Sequence, residues 1–241
     1  MCGRYTLFAD AEALESRFGA SFGERYEPSY NRAPGQRLPV LTNADPERAT
    51  WMKWGLTPRW ADESFDLINA RAETLREKRS FADAYESRRC LVPADGFYEW
   101  VESDGRKRPY RVAFTDDRPF AMAGLYERWQ PPTPKTTQTG LGAFGGGSDE
   151  NPNDALDDEG PTETFTIVTT EPNELVADLH HRMAVVLDPD EESTWLHGST
   201  DAVENLLNPY PATEFHAFPV STRVNAAGVD GPDLIEPITE T

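Results

Sequence analysis

Arg89-Cys90-Leu91-Val92-Pro93-Ala94-Asp95-Gly96-Phe97-Tyr98-Glu99-Trp100-Val101 is the stretch whose reading decides the fold. Two apolar runs, each too short for a stable helix, flank an Asp-Gly pair, so the segment reads as two strands, Arg89–Ala94 and residues 96–101, around a turn. The same signal recurs outward. Residues 109–114 and 119–129 read as strands with Thr-Asp-Asp-Arg between them, and residues 37–43 and 49–56 as a hairpin around Ala-Asp-Pro-Glu. Residues 164–170, 183–187 and 215–220 are further apolar or β-branched runs. Many short strands with few parallel βαβ repeats predict an α+β domain built on a curved, mainly antiparallel sheet.

Helical signals are brief. Asp10 can N-cap a helix over Ala11–Phe18, closed by Gly19. Residues 72–87 favour helix, broken near Ser80, which can cap a second segment. Pro172 sits where an N1 proline would open residues 173–179, and residues 191–196 and 201–207 look helical. Residues 28–36 hold too many breakers for regular structure and read as an ordered loop. Residues 130–162 are rich in Pro, Gly, Asn and Asp with few large apolar residues. That composition predicts a flexible acidic insertion, at about 130–163, within one domain spanning 1–241. An irregular tail is expected from about residue 221, and no internal repeat is present.

With 241 residues, 38% of them hydrophobic, the chain can bury a substantial core. No run of about 18 apolar residues and no secretory leader pattern occurs, which predicts a soluble, cytoplasmic protein with no membrane partner. Cys2 and Cys90 alone make no disulfide framework. The net charge of −19 argues at first against nucleic acid. Yet lysine appears only at Lys53, Lys78, Lys107 and Lys135, and an acidic, lysine-poor surface suits a salty cytoplasm, so the charge reads as a halophilic habitat. It is also uneven: residues 51–90 carry eight basic against seven acidic groups, whereas from Glu191 onward nine acids face only Arg223. A neutral or basic groove therefore fits the first half.

Chemistry concentrates in a few places. If Met1 is removed, Cys2 carries an α-amine and a thiol on adjacent carbons, with ordinary pKa values of about 8 and 8.5. Such a 1,2-aminothiol condenses with an aldehyde to an imine, which the thiolate closes to a thiazolidine. Asn69 and Arg71 fall on one side of an extended piece. Glu99 lies between two aromatics, where burial would raise its pKa toward neutrality for acid/base work. His180 joins a helix end to a strand. Trp54 and Trp60 flank Arg59 in a seven-residue stretch that can serve as a core corner or a base-stacking platform. Adjacent His180 and His181 lack metal-site spacing, no CxxC or HExxH is present, and no phosphate-loop glycine motif occurs. No metal, cofactor or nucleotide is expected.

Taken together and in order, Met-Cys-Gly-Arg-Tyr, Asn-Arg-Ala-Pro-Gly-Gln, Trp-Gly-Leu-Thr-Pro-Arg-Trp, Asn-Ala-Arg-Ala-Glu-Thr, Arg-Cys-Leu-Val-Pro-Ala-Asp-Gly-Phe-Tyr-Glu-Trp, Ala-Gly-Leu-Tyr-Glu-Arg-Trp and His-His-Arg-Met resemble the SRAP, or SOS response-associated peptidase, family of abasic-site processing proteins. The resemblance runs from Cys2 to about Tyr210. It implies a single α+β domain with a barrel-like core flanked by short helices and a groove for single-stranded DNA. It also implies covalent cross-linking of Cys2 to the ring-opened abasic sugar in the DNA damage response, with lyase-type breakage or reversal as secondary chemistry, by a monomer associated with the nucleoid. By this resemblance Cys2 is the nucleophile, Glu99 handles the imine protons, Asn69 holds the sugar and His180 assists ring opening. Arg4, Arg71 and Arg182 are then phosphate contacts, and Pro34, Trp54 and Trp60 groove walls. One departure is Ala184, where the family has proline, at the turn after His180. Two other readings stay open: a cysteine peptidase using Cys2 with His180, and a noncovalent single-stranded DNA-binding module in which Cys2 is idle.

Overall fold

Asp95 and Gly96 do not make the hairpin that their pairing suggests. In the computed structural model, which describes residues 2–103, 105–131 and 161–238, they carry the chain from one sheet into another. In chain order the elements are β1 (Tyr5–Leu7), α1 (Ala11–Phe18), β2 (Ser29–Arg32), β3 (Arg37–Thr42), β4 (Asp45–Trp54), β5 (Asn69–Arg71), α2 (Ala82–Ser87), β6 (Arg89–Ala94) and β7 (Gly96–Ser103). Then follow β8 (Arg106–Phe114), β9 (Phe120–Trp129), β10 (Thr162–Thr170), α3 (Glu174–Ala177), β11 (Met183–Ala184), β12 (Val186–Leu187), α4 (Glu192–His197), α5 (Thr200–Glu204) and β13 (Phe215–Pro219).

The Asp95 carboxylate accepts from the backbone N–H groups of Phe8 at 2.5 Å and Ala9 at 3.0 Å, and its carbonyl accepts from Arg111 Nη2. Gly96 is needed for close approach and not for a turn: a Cβ there would lie 2.9 Å from Arg111 Nε and 3.0 Å from Thr6 Oγ1. The composition of a hairpin turn thus serves a crossover.

β10, β4, β3, β6 and β9 pair in that order, and β9 pairs again with β10, so five strands close into a barrel. Only the β4–β10 contact in this ring is parallel. β5 and β11 attach to β10 and β12 to β9. The second sheet runs β13-β8-β7-β1-β2, antiparallel throughout. The expected α+β class with a curved, mainly antiparallel, barrel-like core is what the molecule has.

Side chains alternate along the barrel strands, as strand geometry requires. Cys90, Val92 and Ala94 of β6 and Met122 of β9 join a cluster with Tyr5, Leu7, Trp54, Phe97 and Phe165. Leu91, Ala121, Ala123 and Leu125 face the other way, under Tyr85 of α2, Trp195 of α4 and Val203 of α5. Both faces are therefore covered, which is why these strands read as continuous apolar runs. Arg89, 3% exposed, ties the helices down: its guanidinium donates to carbonyls of Tyr85 and Glu86 in α2 and to those of Trp195, Leu196 and Gly198 at the end of α4.

Local expectations fared unevenly. α1 has its Asp10 cap, accepting from Ala13 N–H, and its left-handed Gly19 at φ 63°. The segment read as a loop at residues 28–36 contains β2, because β1 offers it a partner. The β3–β4 turn is tighter than expected, with Thr42 already opposite Asp45. Residues 72–87 hold a 3-10 turn (Ala72–Thr74) and α2, whose N-cap is Phe81 without a side-chain bond, not Ser80. Asn173 caps α3, so Pro172 lies outside it. Residues 183–187 divide into β11 and β12. Within the irregular tail, residues 221–238 form 3-10 turns at Thr222–Asn225 and Pro232–Ile235. β9 and β10 pair from Trp129 and Thr162 onward; the acidic insertion joining them falls mostly at 132–160, outside the described residues.

Candidate functional site

Cys2 enters the molecule just ahead of β1. Tyr5 pairs with Phe97 and Thr6 with Gly96, while Tyr98 N–H donates to Arg4 O at 2.9 Å. This antiparallel register carries Cys2 toward Glu99 on β7. From the other side, β5 lies parallel to β10, with Asn69 opposite Ile167. Asn69 Nδ2 then reaches the Cys2 carbonyl oxygen at 3.0 Å. A terminus that would otherwise fray is held by a side chain 67 positions away.

Beside this junction opens a cleft of about 540 Å³ lined by Arg4, Glu99, Trp100, Glu102, Lys107, His180 and Asn225. Four residues expected to act together, Cys2, Asn69, Glu99 and His180, are thus brought to one place. His180 follows α3; its Nδ1 accepts from Arg182 N–H at 3.0 Å, and its ring lies 4.2 Å from that of His181. Ala184, where the family has proline, lies on β11 opposite Thr169 of β10.

The electrostatics follow from burial. Glu99 is 1% exposed, and loss of solvent pushes its carboxyl up to about 7. It is poised to give or take a proton at neutral pH. His180 is pushed down, chiefly by burial, so its imidazole is neutral there. The expectation of a partly ionised Cys2 thiol needs correction. The side chain is fully buried, and burial followed by the nearby Glu99 charge drives its pKa far up, with Sγ 3.9 Å from Arg4 O. The resting thiol is protonated. Asn69 Oδ1 is buried without a hydrogen-bond partner among the described residues.

The residues expected to contact DNA divide. Arg4 lines the cleft, Arg71 is exposed on β5, and Pro34 is exposed in a loop whose Gly35 N–H bonds Trp54 O at 2.8 Å. Trp60 is 37% exposed; its ring packs edge-on to Phe65 and lies 4.0 Å under the Arg79 guanidinium. Trp54 is different. It is fully buried against Tyr5 and Phe165, with Nε1 donating to Ile68 O at 2.9 Å, so it supports the site from the core and presents no face to a base. Arg182 also differs from expectation: 8% exposed, it forms a two-pronged ion pair with Glu73 and donates to Thr169 O. Its charge is paired with Glu73, which ties the Ala72–Thr74 turn to β10.

Sequence reasoning missed Trp100, Glu102, Lys107 and Asn225 in the cleft. Asn225 comes from the tail, and its Oδ1 accepts from Trp100 Nε1 at 2.7 Å. Only the proximity of Trp100 and Glu102 to Glu99 on a strand offered a hint. Among the described residues no three His, Cys, Asp or Glu converge as metal ligands, and no helix is long and apolar enough to cross a membrane.

The chain is similar to known proteins along most of its length. The model of the family described as SOS response associated peptidase (SRAP) matches residues 1–227. The chain is 38% identical to the abasic site processing protein YoqW of Bacillus subtilis, over 98% of this chain and 99% of that one. It is 32% identical to the abasic site processing protein HMCES of Gallus gallus, over 89% of this chain and 67% of that one. A crystal structure of a Bacteroides thetaiotaomicron protein superposes with a TM-score of 0.81 at 25% identity, covering 99% of this chain and all of that one.

Proposed function

The chain belongs to the SOS response associated peptidase (SRAP) family, and from that premise we propose that it processes abasic sites in single-stranded DNA by bonding covalently to them through Cys2. The observation that carries this reading is the convergence of Asn69 on the Cys2 carbonyl with Glu99, buried and titrating near 7, beside a cleft large enough for a sugar and its phosphates.

Once Met1 is gone, the Cys2 amine nitrogen attacks the C1′ aldehyde of the ring-opened sugar. The carbinolamine loses water to form an imine, the protonated Glu99 supplying a proton to the departing hydroxyl. The thiol then adds across the C=N bond: sulfur bonds C1′, and the thiol proton ends on nitrogen by way of the Glu99 carboxylate. One water is released overall. Neutral His180 takes the proton of the C1′ hydroxyl as the C1′–O4′ bond breaks and returns it to O4′, leaving the aldehyde and a C4′ hydroxyl, and Asn69 Oδ1 accepts a hydrogen bond from a sugar hydroxyl. A thiol kept protonated until the imine exists avoids premature reaction with oxidants or other electrophiles. Arg4 and Arg71 contact phosphates, and exposed Trp60, with Pro34, offers surface on which bases stack.

The test is a denaturing gel of the purified protein, its N-terminus read by mass spectrometry, with an oligonucleotide bearing one abasic site. A band surviving denaturation and absent in Cys2→Ala is expected. No such band from protein shown to begin at Cys2 refutes the covalent reading, leaving noncovalent binding. Casein cleavage lost in the same variant would establish the peptidase reading.

A further inference from the structure

The proposed reaction demands that Cys2 be held still, and Asn69 grips only its carbonyl. A second restraint lies two residues on. Arg4 Nη1 donates to Asn31 Oδ1 at 2.8 Å and to Val224 O at 2.8 Å, and Nη2 lies 3.4 Å from Asn225 O. Asn31 stands on β2, next to β1, and is 2% exposed. Its Nδ2 is shared among the carbonyls of Val229 at 2.7 Å, Ala226 at 3.1 Å and Val224 at 3.3 Å. One buried carboxamide therefore uses its oxygen on the first strand and its nitrogen on the tail, and the same tail contributes Asn225 to the cleft wall.

This arrangement is built for Asn and Arg. A carboxylate at position 31 would keep the acceptor for Arg4 but lose both donors to the tail. A lysine at position 4 would keep the charge but lose the planar fork that reaches Asn31 and Val224 O together. Burial makes each unmet group costly, so the clasp is a definite structure and not a chance contact. Asn31 does not line the cleft, so it acts through Arg4 and the tail.

Resting on the covalent reading above, we propose that Asn31 is a positioning residue for the Cys2 reaction: its carboxamide clasps Arg4 to the 224–229 tail and so fixes the reactive terminus against Glu99 and the cleft wall. The tail is thereby part of the site, although it carries no reacting group.

Single-turnover cross-linking of an abasic oligonucleotide, followed against DNA concentration, separates the rate at saturation from the half-saturating concentration. Asn31→Ala should lower the saturating rate about tenfold or more through misplacement of the terminus, with the half-saturating concentration within about twofold. Arg4→Lys, which keeps the charge that meets phosphate, should show the same fall in saturating rate. Adding Asn31→Ala to Arg4→Lys should then lower the rate by less than about twofold, because both act through one clasp. If Asn31→Ala does not fold, Arg4→Lys alone decides. Wild-type saturating rates in whichever variants fold, or full additivity in the pair, overturn the proposal. Failure of the wild-type protein to cross-link overturns the covalent reading instead.

Discussion

Replacing Glu99 with glutamine should make the protein more stable and less active at once. The carboxyl is 1% exposed and pushed from an ordinary 4.5 up to about 7 by burial. Between those two pH values the folded protein retains a proton that the unfolded chain releases. The associated stability is fully present below about 4.5, is lost as pH rises through the window, and is gone above about 7. At about 1.4 kcal/mol per unit, wild type should lose about 3 kcal/mol across this window relative to a variant that cannot ionise there. Glutamine preserves the shape, so Glu99→Gln should exceed wild type by up to about 3 kcal/mol at pH 8, about 6–12 °C in Tm for a chain of this size, with the gap closing toward pH 4.5. Comparing the two proteins at each pH, at fixed salt and with identical N-termini, cancels the titrating groups that do not interact with position 99. Cross-linking should meanwhile fall by about 10²–10⁴-fold, the usual range for a lost general acid/base. A variant no more stable than wild type at pH 8, a gap independent of pH, or an undiminished cross-linking rate would refute the reasoning.

Asn69→Ala releases the Cys2 carbonyl and should slow single-turnover cross-linking about 10–100-fold while thermal unfolding shows a folded protein. Trp54→Ala should destabilise by about 3–5 kcal/mol in denaturant titration. Trp60→Ala should leave stability within about 0.5 kcal/mol yet weaken single-stranded DNA binding by about 1–3 kcal/mol in fluorescence anisotropy. Gly96→Ala forces a Cβ against Arg111, Thr6 and the Val112 carbonyl, and should lower stability by about 1–3 kcal/mol by the same titration.

Elements governed by their own residues were legible. The Asp10 cap and Gly19 stop give α1 without reference to anything else, and β6 and β9 announce themselves through apolar runs. Asp95-Gly96 was misread because both residues answer to distant partners, Phe8 and Ala9 for one, Arg111 and Thr6 for the other. The site divides likewise. Cys2, Asn69, Glu99 and His180 are chemically marked by type and motif. The burial that silences Trp54 and commits Arg182 to Glu73 is a tertiary fact, as is the path that brings Asn225 back to Trp100. Local sequence reports what a residue is able to do; its neighbours decide whether it is free to do it.

The closed barrel has a consequence for timing. Its ring shuts only when Thr164 of β10 takes its place beside Lys53 of β4, and the same strand carries β5 and hence Asn69 to Cys2. Closure through partners so far apart in the chain is a late and slow event in folding. During synthesis Cys2 emerges long before residue 164 exists. Until the ring closes, Cys2 has neither the Asn69 grip nor the desolvated Glu99 beside it. Under the proposed chemistry, the nucleophile is thus the earliest part of the site to be made and among the last to be positioned.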